Sequence, residues 1–313
     1  MEHIPVLLKE SVDILLAGRR VVGGEGVLVD ATFGGGGHTR KLLEQSDNGV
    51  SLVAIDRDPE AALRSQSLLS EFASRFKLLA GNFADLSELL DDAGIDNIDG
   101  LLLDIGLSSF QLEEGERGFS FQSLGPLDMR MDPTTGEPAS TIVNQADYKT
   151  LFKIFRDFGE EPYAAAIARK IVESRVQNPL VTTRSLAALI EDMVPLYKRS
   201  RRHPATLVFQ ALRIVVNDEL NALERVLNAG LERLERGARM VVISYHSLED
   251  RLVKRIFRQA AKGCVCPPRV PVCGCGQKPK VKILTGRGVR PQESEIALNP
   301  RSRSACLRAV ECL

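Results

Sequence analysis

Gly26-Val27-Leu28-Val29 runs straight into Asp30-Ala31-Thr32-Phe33-Gly34-Gly35-Gly36-Gly37-His38, and this stretch decides how the chain is read. An apolar run ending in an acid and then a glycine-rich turn predicts a buried strand handing over to a helix. Glycines at such a turn let backbone N–H groups approach a ligand without interference from a Cβ. Nineteen residues after Gly37, the run Leu52-Val53-Ala54-Ile55-Asp56-Arg57-Asp58 brings Asp56 to the end of a second strand. A carboxylate there can grip a ribose diol, so the spacing describes a nucleotide-type cofactor site rather than a glycine-rich surface turn.

The details discriminate between cofactors. A dinucleotide fingerprint reads G-x-G-x-x-G, but Gly34-x-Gly36 is followed by Thr39 where the third glycine belongs, and Gly35-x-Gly37 by Arg40. Asp30, at the end of the first strand, would sit poorly beside a pyrophosphate and suits a cationic ligand. The sulfonium of S-adenosylmethionine is such a ligand, and it is the expected cofactor.

Of the 313 residues, 44% are hydrophobic and 26% charged, the composition of a soluble protein with room for one large domain and a smaller one. The first ten residues carry charges where a signal peptide would be apolar, and no apolar stretch reaches membrane-spanning length, so a cytoplasmic location is expected. Net charge is zero but unevenly spread: residues 251–313 hold 14 Lys and Arg against 3 Asp and Glu. A local basic field of that kind supplies the salt-sensitive part of nucleic-acid affinity, although a solvated surface explains it equally.

Residues 27–32, 51–56, 76–80 and 98–104 read as buried strands separated by amphipathic stretches at 39–45 and 59–69, the wiring of a parallel sheet. Strand signals vanish after residue 112, where helices are expected at 145–158, 162–176 and 184–193, with Thr183 as an N-cap and stripes such as Leu151, Phe155 and Phe158 as core. Strand patterns return at 240–245, 281–284 and 305–310, after a long helix beginning near Pro204. The expectation is an α/β fold: a seven-stranded Rossmann-like methyltransferase sheet, residues 1–111 and 204–313, with an inserted all-helical domain at 112–203.

Chemistry-bearing residues gather at strand ends. Ile98-Asp99-Gly100-Leu101-Leu102-Leu103-Asp104-Ile105-Gly106-Leu107-Ser108-Ser109 delivers Asp104 and two hydroxyls to the carboxyl edge of the sheet, where ligands bind in such folds. The loop at 116–133 mixes Arg117, Phe119, Phe121 and Arg130, either to meet phosphate and base or to anchor in the core. Lys198-Arg199-Ser200-Arg201-Arg202-His203 is a basic turn suited to RNA phosphates or to a solvated linker. Ser247 with Asp250 forms a capping box, leaving Tyr245 and His246 as candidate pocket residues. Cys264-x-Cys266 and Cys273-x-Cys275 leave zinc open, although the spacing is tighter than that of common zinc ribbons; no catalytic metal is expected.

Taken in order, several strings closely resemble the bacterial ribosomal RNA small subunit methyltransferase H family. They are His3-Ile4-Pro5-Val6-Leu7-Leu8, residues 30–38, Ala54-Ile55-Asp56-Arg57-Asp58-Pro59, residues 103–109, 116–121 and 125–133, His203-Pro204-Ala205-Thr206, Phe209-Gln210-Ala211-Leu212-Arg213-Ile214 and residues 246–251. The resemblance implies an S-adenosylmethionine-dependent enzyme that methylates N4 of a cytidine in 16S rRNA of the small ribosomal subunit. It further implies that Gly36, Gly37 and His38 contact the donor, Asp56 its ribose, Phe83 and Asp104 the adenine and methionine regions, and that Gln111 completes the pocket. Family members vary in the cysteine-rich loop, which implies that these thiols are not essential to transfer.

The catalytic set expected is Asp104 with Ser108 and Ser109, whose acceptors would hold the amine hydrogens so that the nitrogen lone pair faces the methyl group. A reachable cytosine amine requires an unstacked base. The rivals are a DNA amino-methyltransferase, which would place prolines and an aromatic after the strand-end acid; a nicotinamide oxidoreductase, which needs the missing glycine; and a noncatalytic RNA-binding factor. Oligomeric state stays open between monomer and homodimer.

Overall fold

Leu101, Leu102 and Leu103 are fully buried in succession, the pattern of a strand covered on both faces. In the computed structural model, which describes residues 4–106, 114–194, 203–264, 266 and 274–313, they lie on β4. The strands are β1 (Gly26–Asp30), β2 (Val50–Asp56), β3 (Phe76–Ala80), β4 (Ile98–Asp104), β5 (Leu234–Ser244), β6 (Val281–Ile283) and β7 (Cys306–Cys312). They form one sheet of order β3-β2-β1-β4-β5-β7-β6. The first five strands pair in parallel, and β7 runs antiparallel to both β5 and β6. The six-stranded dinucleotide fold has order 3-2-1-4-5-6; here there are seven strands, as expected, and the seventh enters antiparallel between β5 and β6.

Alternate side chains on each strand feed two separate cores. Val29, Val53, Ile55, Leu101, Leu103, Met240 and Val242 face one side, under the helices Leu86–Asp92, Glu219–Arg233 and Ser247–Ala260. Leu28, Leu52, Ala54, Leu102, Val241 and Ile243 face the other, under the helices Leu8–Leu16 and Gly37–Gln45. Each buried Leu, Ile or Val contributes about 1.5–3 kcal/mol relative to exposure, so the two-sided burial dominates the stability of the sheet and holds its carboxyl edge rigid.

Residues 1–106 and 220–313 make this unit, and residues 107–219 make a second. The second is built from the helices Ala139–Gln145, Tyr148–Asp157, Ala164–Ser174, Thr183–Met193 and Thr206–Val216 around Leu151, Phe155, Ile167, Ile171, Leu186 and Ile190. Its far boundary is Glu219 rather than residue 203. The expected long helix is broken at Asn217–Asp218, where Asp218 has φ of 50°, and the first half buries Val208, Ala211 and Leu212 in the helical core. Asn217 secures the break: its amide accepts from Met131 N at 2.8 Å and donates to Met129 O at 2.7 Å.

The irregular loop before the first of these helices is part of the same core. Phe119, Leu127, Met129 and Met131 are buried in it, and Phe121 stacks on His203 with ring centroids 4.3 Å apart. Arg130 is held bidentately by Asp128, both contacts at 2.8 Å, and Arg117 donates to Met131 O at 2.8 Å. The aromatics and arginines of this loop therefore serve as anchors in the core, not as contacts for phosphate and base. Thr182, not Thr183, caps the helix Thr183–Met193 by accepting from Ser185 N at 3.1 Å; Thr183 is buried and donates to Ser123 O at 2.9 Å. Among the described residues no helix is long and apolar enough to cross a membrane.

Candidate active site

The glycine turn joins β1 to the helix Gly37–Gln45 while staying bonded to both neighbouring strands. Ala31 N donates to Leu102 O and Phe33 N to Ile55 O, each at 3.0 Å. Gly34 and Gly36 have φ of 53° and 76°, the left-handed region where a side chain is strained. A Cβ on Gly36 would also come within 2.8 Å of the Phe33 ring, and one on Gly37 would collide with Pro5. With glycine at the N-cap, no side chain caps the first turn of the helix, so its leading N–H groups are offered to whatever lies above the sheet edge.

Carboxylates ring this turn, in different states. Asp56, ending β2, accepts from Gly34 N at 2.8 Å and from Asp58 N at 2.9 Å and remains partly exposed. Burial pushes its carboxyl up despite those two donors. Desolvation penalises the charged form, and arriving hydroxyl donors would offset that penalty, so Asp56 fits a ribose diol. Asp58 is buried and paired with Arg64 at 3.2 Å, and Arg64 Nε donates to Gly34 O at 2.9 Å, bracing the turn from outside.

Asp30 plays a different part from the one its position suggests. It is 1% exposed, one oxygen accepting from Thr39 Oγ1 at 2.7 Å and the other from Thr32 N at 3.1 Å, and burial raises its carboxyl above the ordinary range. It latches the strand end to the following helix and reaches a ligand only through its field.

Asp104 lies at the end of β4, its backbone N donating to Thr32 Oγ1 at 2.7 Å. Oδ1 accepts the Tyr245 hydroxyl at 2.8 Å, and Oδ2 stands 3.7 Å from His38 Nδ1. The other ring nitrogen of His38 meets Val6 O at 3.1 Å. Burial, the charge of Asp104 and the hydrogen bond to it push the Tyr245 hydroxyl well above its ordinary 10.0, so it stays a donor. The amino-terminal segment thereby becomes part of the site: Pro5 packs on Gly37, Val6 holds His38, and Leu7 N is pinned by Glu295 Oε1 at 2.7 Å.

Of the residues expected from sequence, Gly36, Gly37, His38, Asp56 and Asp104 converge on this edge. Phe83 opens a short turn after β3 and packs, half-buried, against the sheet core. Ser108, Ser109 and Gln111 lie outside the described residues, as do Lys198, Arg199, Arg201 and Arg202. Tyr245 joins Asp104, and the register already hinted at this, because β5 pairs Ile243 with Asp104 and so ends beside it. His246 does not join: it is the N-cap of the helix Ser247–Ala260, exchanging hydrogen bonds with Glu249, and it replaces the expected box of Ser247 and Asp250. Asp250 instead clasps Arg308 at 2.7 and 3.1 Å. Arg64 carried no motif that would have singled it out, and the part played by Thr32, inside the glycine-turn stretch, shows only in its bond from Asp104 N.

Residues 1–313 match the MraW methylase family. The Ribosomal RNA small subunit methyltransferase H of Thermomicrobium roseum is 52% identical over 309 residues, covering 99% of this chain and 93% of that protein. Its namesake in Syntrophotalea carbinolica is 50% identical over 313 residues, covering 100% and 98%. That of Trichlorobacter lovleyi is 48% identical over 312 residues, covering 99% and 98%. Among solved structures, an rRNA methylase from Streptococcus thermophilus covers 100% of this chain and 99% of its own at 13% identity and a TM-score of 0.42, a likeness that adds nothing to the assignment. Similarity of this depth along the entire length, together with a glycine turn and strand-end acids arranged for a nucleotide-type donor, means that the chain belongs to the MraW methylase family.

Proposed function

We propose that this chain transfers a methyl group from S-adenosylmethionine to N4 of a cytidine in 16S rRNA of the small ribosomal subunit. The observation that carries the reading is Asp104, seated at the sheet edge beside the glycine turn and fixed there by Tyr245 at 2.8 Å. Its relatives' shared name supplies the substrate class, and the strand-end acid supplies the chemistry.

Bound S-adenosylmethionine contributes an electrophilic methyl group on a positively charged sulfur. Around its place this chain gathers Asp30, Asp56, Asp58 and Asp104 against Arg64, which is already spent on Asp58 and Gly34. That acidic surplus favours a sulfonium and opposes a pyrophosphate, which disfavours the nicotinamide alternative. Gly34–Gly37 offer backbone donors, and Asp56 takes the ribose hydroxyls. The cytosine amine is a poor nucleophile because its lone pair is delocalised into the ring. Asp104 accepts an amine hydrogen and orients the nitrogen, with proximity supplying much of the acceleration; Ser108 and Ser109 are proposed to assist.

The helical unit and the basic carboxyl-terminal region, where Lys278, Lys280, Lys282 and Arg287 are exposed, are proposed to grip an unstacked RNA segment. Neutralising Lys198, Arg199, Arg201 and Arg202 together with the basic residues of 278–290 then lowers RNA affinity and flattens its salt dependence.

The test is labelled methyl transfer to small subunits from cells lacking this enzyme, followed by nucleoside analysis. N4-methylated cytidine is expected; label on a base carbon or a ribose oxygen, or none, overturns the proposal. Asp104→Asn is expected to lower turnover by at least about 100-fold, and transfer at the parent rate with normal donor binding would remove Asp104 from catalysis.

A further inference from the structure

Between the helix Ser247–Ala260 and β6 the chain makes an excursion whose two ends are tied together. Lys280 N donates to Ala260 O at 2.8 Å, and Gly263 packs so closely on Pro279 that a Cβ would come within 2.9 Å of its Cδ. In this neck stand Cys264, Cys266 and Cys275, all partly buried and none in a disulfide. Their sulfurs lie within 4.8 Å of one another. The Sγ atoms of Cys264 and Cys275 are 3.8 Å apart, and Cys266 N–H points at Cys264 Sγ at 3.4 Å. Cys273 lies outside the described residues.

The 3.8 Å between Cys264 and Cys275 is the spacing of two thiolates on one metal ion, and the remaining sulfur pairs lie within 4.8 Å. Zinc holds thiolates at about 2.3 Å in a tetrahedron, whose corners are then about 3.8 Å apart. A disulfide needs about 2.05 Å between sulfurs, which the cysteines do not approach. A backbone N–H aimed at sulfur stabilises its anionic form, as the outer partners of metal ligands do. The tight C-x-C spacing is no obstacle, because Cys266 and Cys264 already lie close and Cys275, nine residues past Cys266, returns to complete the triangle.

We propose that Cys264, Cys266 and Cys275 together bind one zinc ion. Binding replaces three S–H bonds by three zinc–sulfur bonds and releases three protons; the complex carries one negative charge, in a segment that also holds Lys262, Lys278 and Lys280. A water completes the tetrahedron. The ion closes the neck and so fixes the connection into β6, the edge strand beside β7. The role is structural and does not depend on which substrate the enzyme methylates.

The test uses the full-length protein, purified without a metal-affinity tag from cells grown with zinc. About one zinc per chain is expected by mass spectrometry, and cobalt in its place is expected to show an intense thiolate-to-metal charge-transfer band. Cys264→Ser, Cys266→Ser and Cys275→Ser are each expected to lower retention against a competing chelator by about tenfold or more. Should a variant fail to fold, zinc release from the parent protein as a mercurial titrates its thiols decides the same question. Less than about 0.2 zinc per chain with no cobalt–thiolate band overturns the proposal, as does a disulfide between Cys264 and Cys275 in metal-free protein that is fully folded.

Discussion

Removing the Tyr245 hydroxyl isolates what it does for Asp104. The bond is 2.8 Å long, to an ionised acceptor that is mostly buried, and Phe keeps the ring that packs over Gly106. A hydrogen bond to a charged group is worth about 1.5–3 kcal/mol. If that energy holds Asp104 in the orientation that receives the amine, its loss appears in the transition state, and about 1.4 kcal/mol per tenfold makes the expected fall in kcat roughly 10- to 100-fold for Tyr245→Phe. Donor affinity, measured calorimetrically, should change by less than about threefold. Burial beside Asp104 keeps the hydroxyl protonated well beyond neutral pH, so the defect should be the same across the neutral range. In the Asp104→Asn background the same change should cost little, because two residues acting through one group are non-additive. A kcat within about twofold of the parent, or full additivity with Asp104→Asn, refutes the claim that Tyr245 positions Asp104.

Gly37→Ala drives a methyl group into Pro5 and dislodges the segment that holds His38, which should cost about 1–3 kcal/mol of stability in urea melts and weaken donor binding; both unchanged would contradict the packing described. Asn217→Ala strands the backbone N–H of Met131 and carbonyl of Met129, at about 1–3 kcal/mol for each buried group, and hydrogen exchange should quicken within residues 114–219. Burial raises the Asp250 carboxyl, but hydrogen bonds from Arg308 and Cys306 and the charges of Arg308 and Arg290 outweigh it and hold the group below its ordinary 3.8. The stability this contributes is present above pH 3.8 and is lost as pH falls further, so Asp250→Asn should flatten the acid side of the urea-midpoint profile while lowering the plateau near neutrality; an unaltered acid limb would speak against it.

Much of the architecture was legible because it follows from local geometry. Period-two and continuous apolar runs place the strands, since a strand must bury alternate or all side chains, and the stripes of the insert place its helices. The glycine turn and Asp56 are likewise neighbours in a motif whose spacing reflects one strand–helix–strand unit. What pairing across the chain decides was not legible. Asp30 and Asp104 each end one of two adjacent strands, Asp30 opposite Leu102, yet the side chains around them make one a buried latch for Thr39 and leave the other to Tyr245 and His38. Phe119, Arg117 and Arg130 look like recognition residues until the loop is seen to plug a helical core, and the break at Asn217 exists because its amide satisfies backbone groups 86 and 88 residues away. His246 rather than Ser247 caps its helix because Glu249 reaches back to it. Sequence by itself determined where most strands and helices lie and that a glycine-rich turn follows β1, because both depend on residues a few positions apart. Only the tertiary structure decided which polar groups are used up internally and which face the site, because the strand order that brings Tyr245 to Asp104 is settled by burial of the whole sheet.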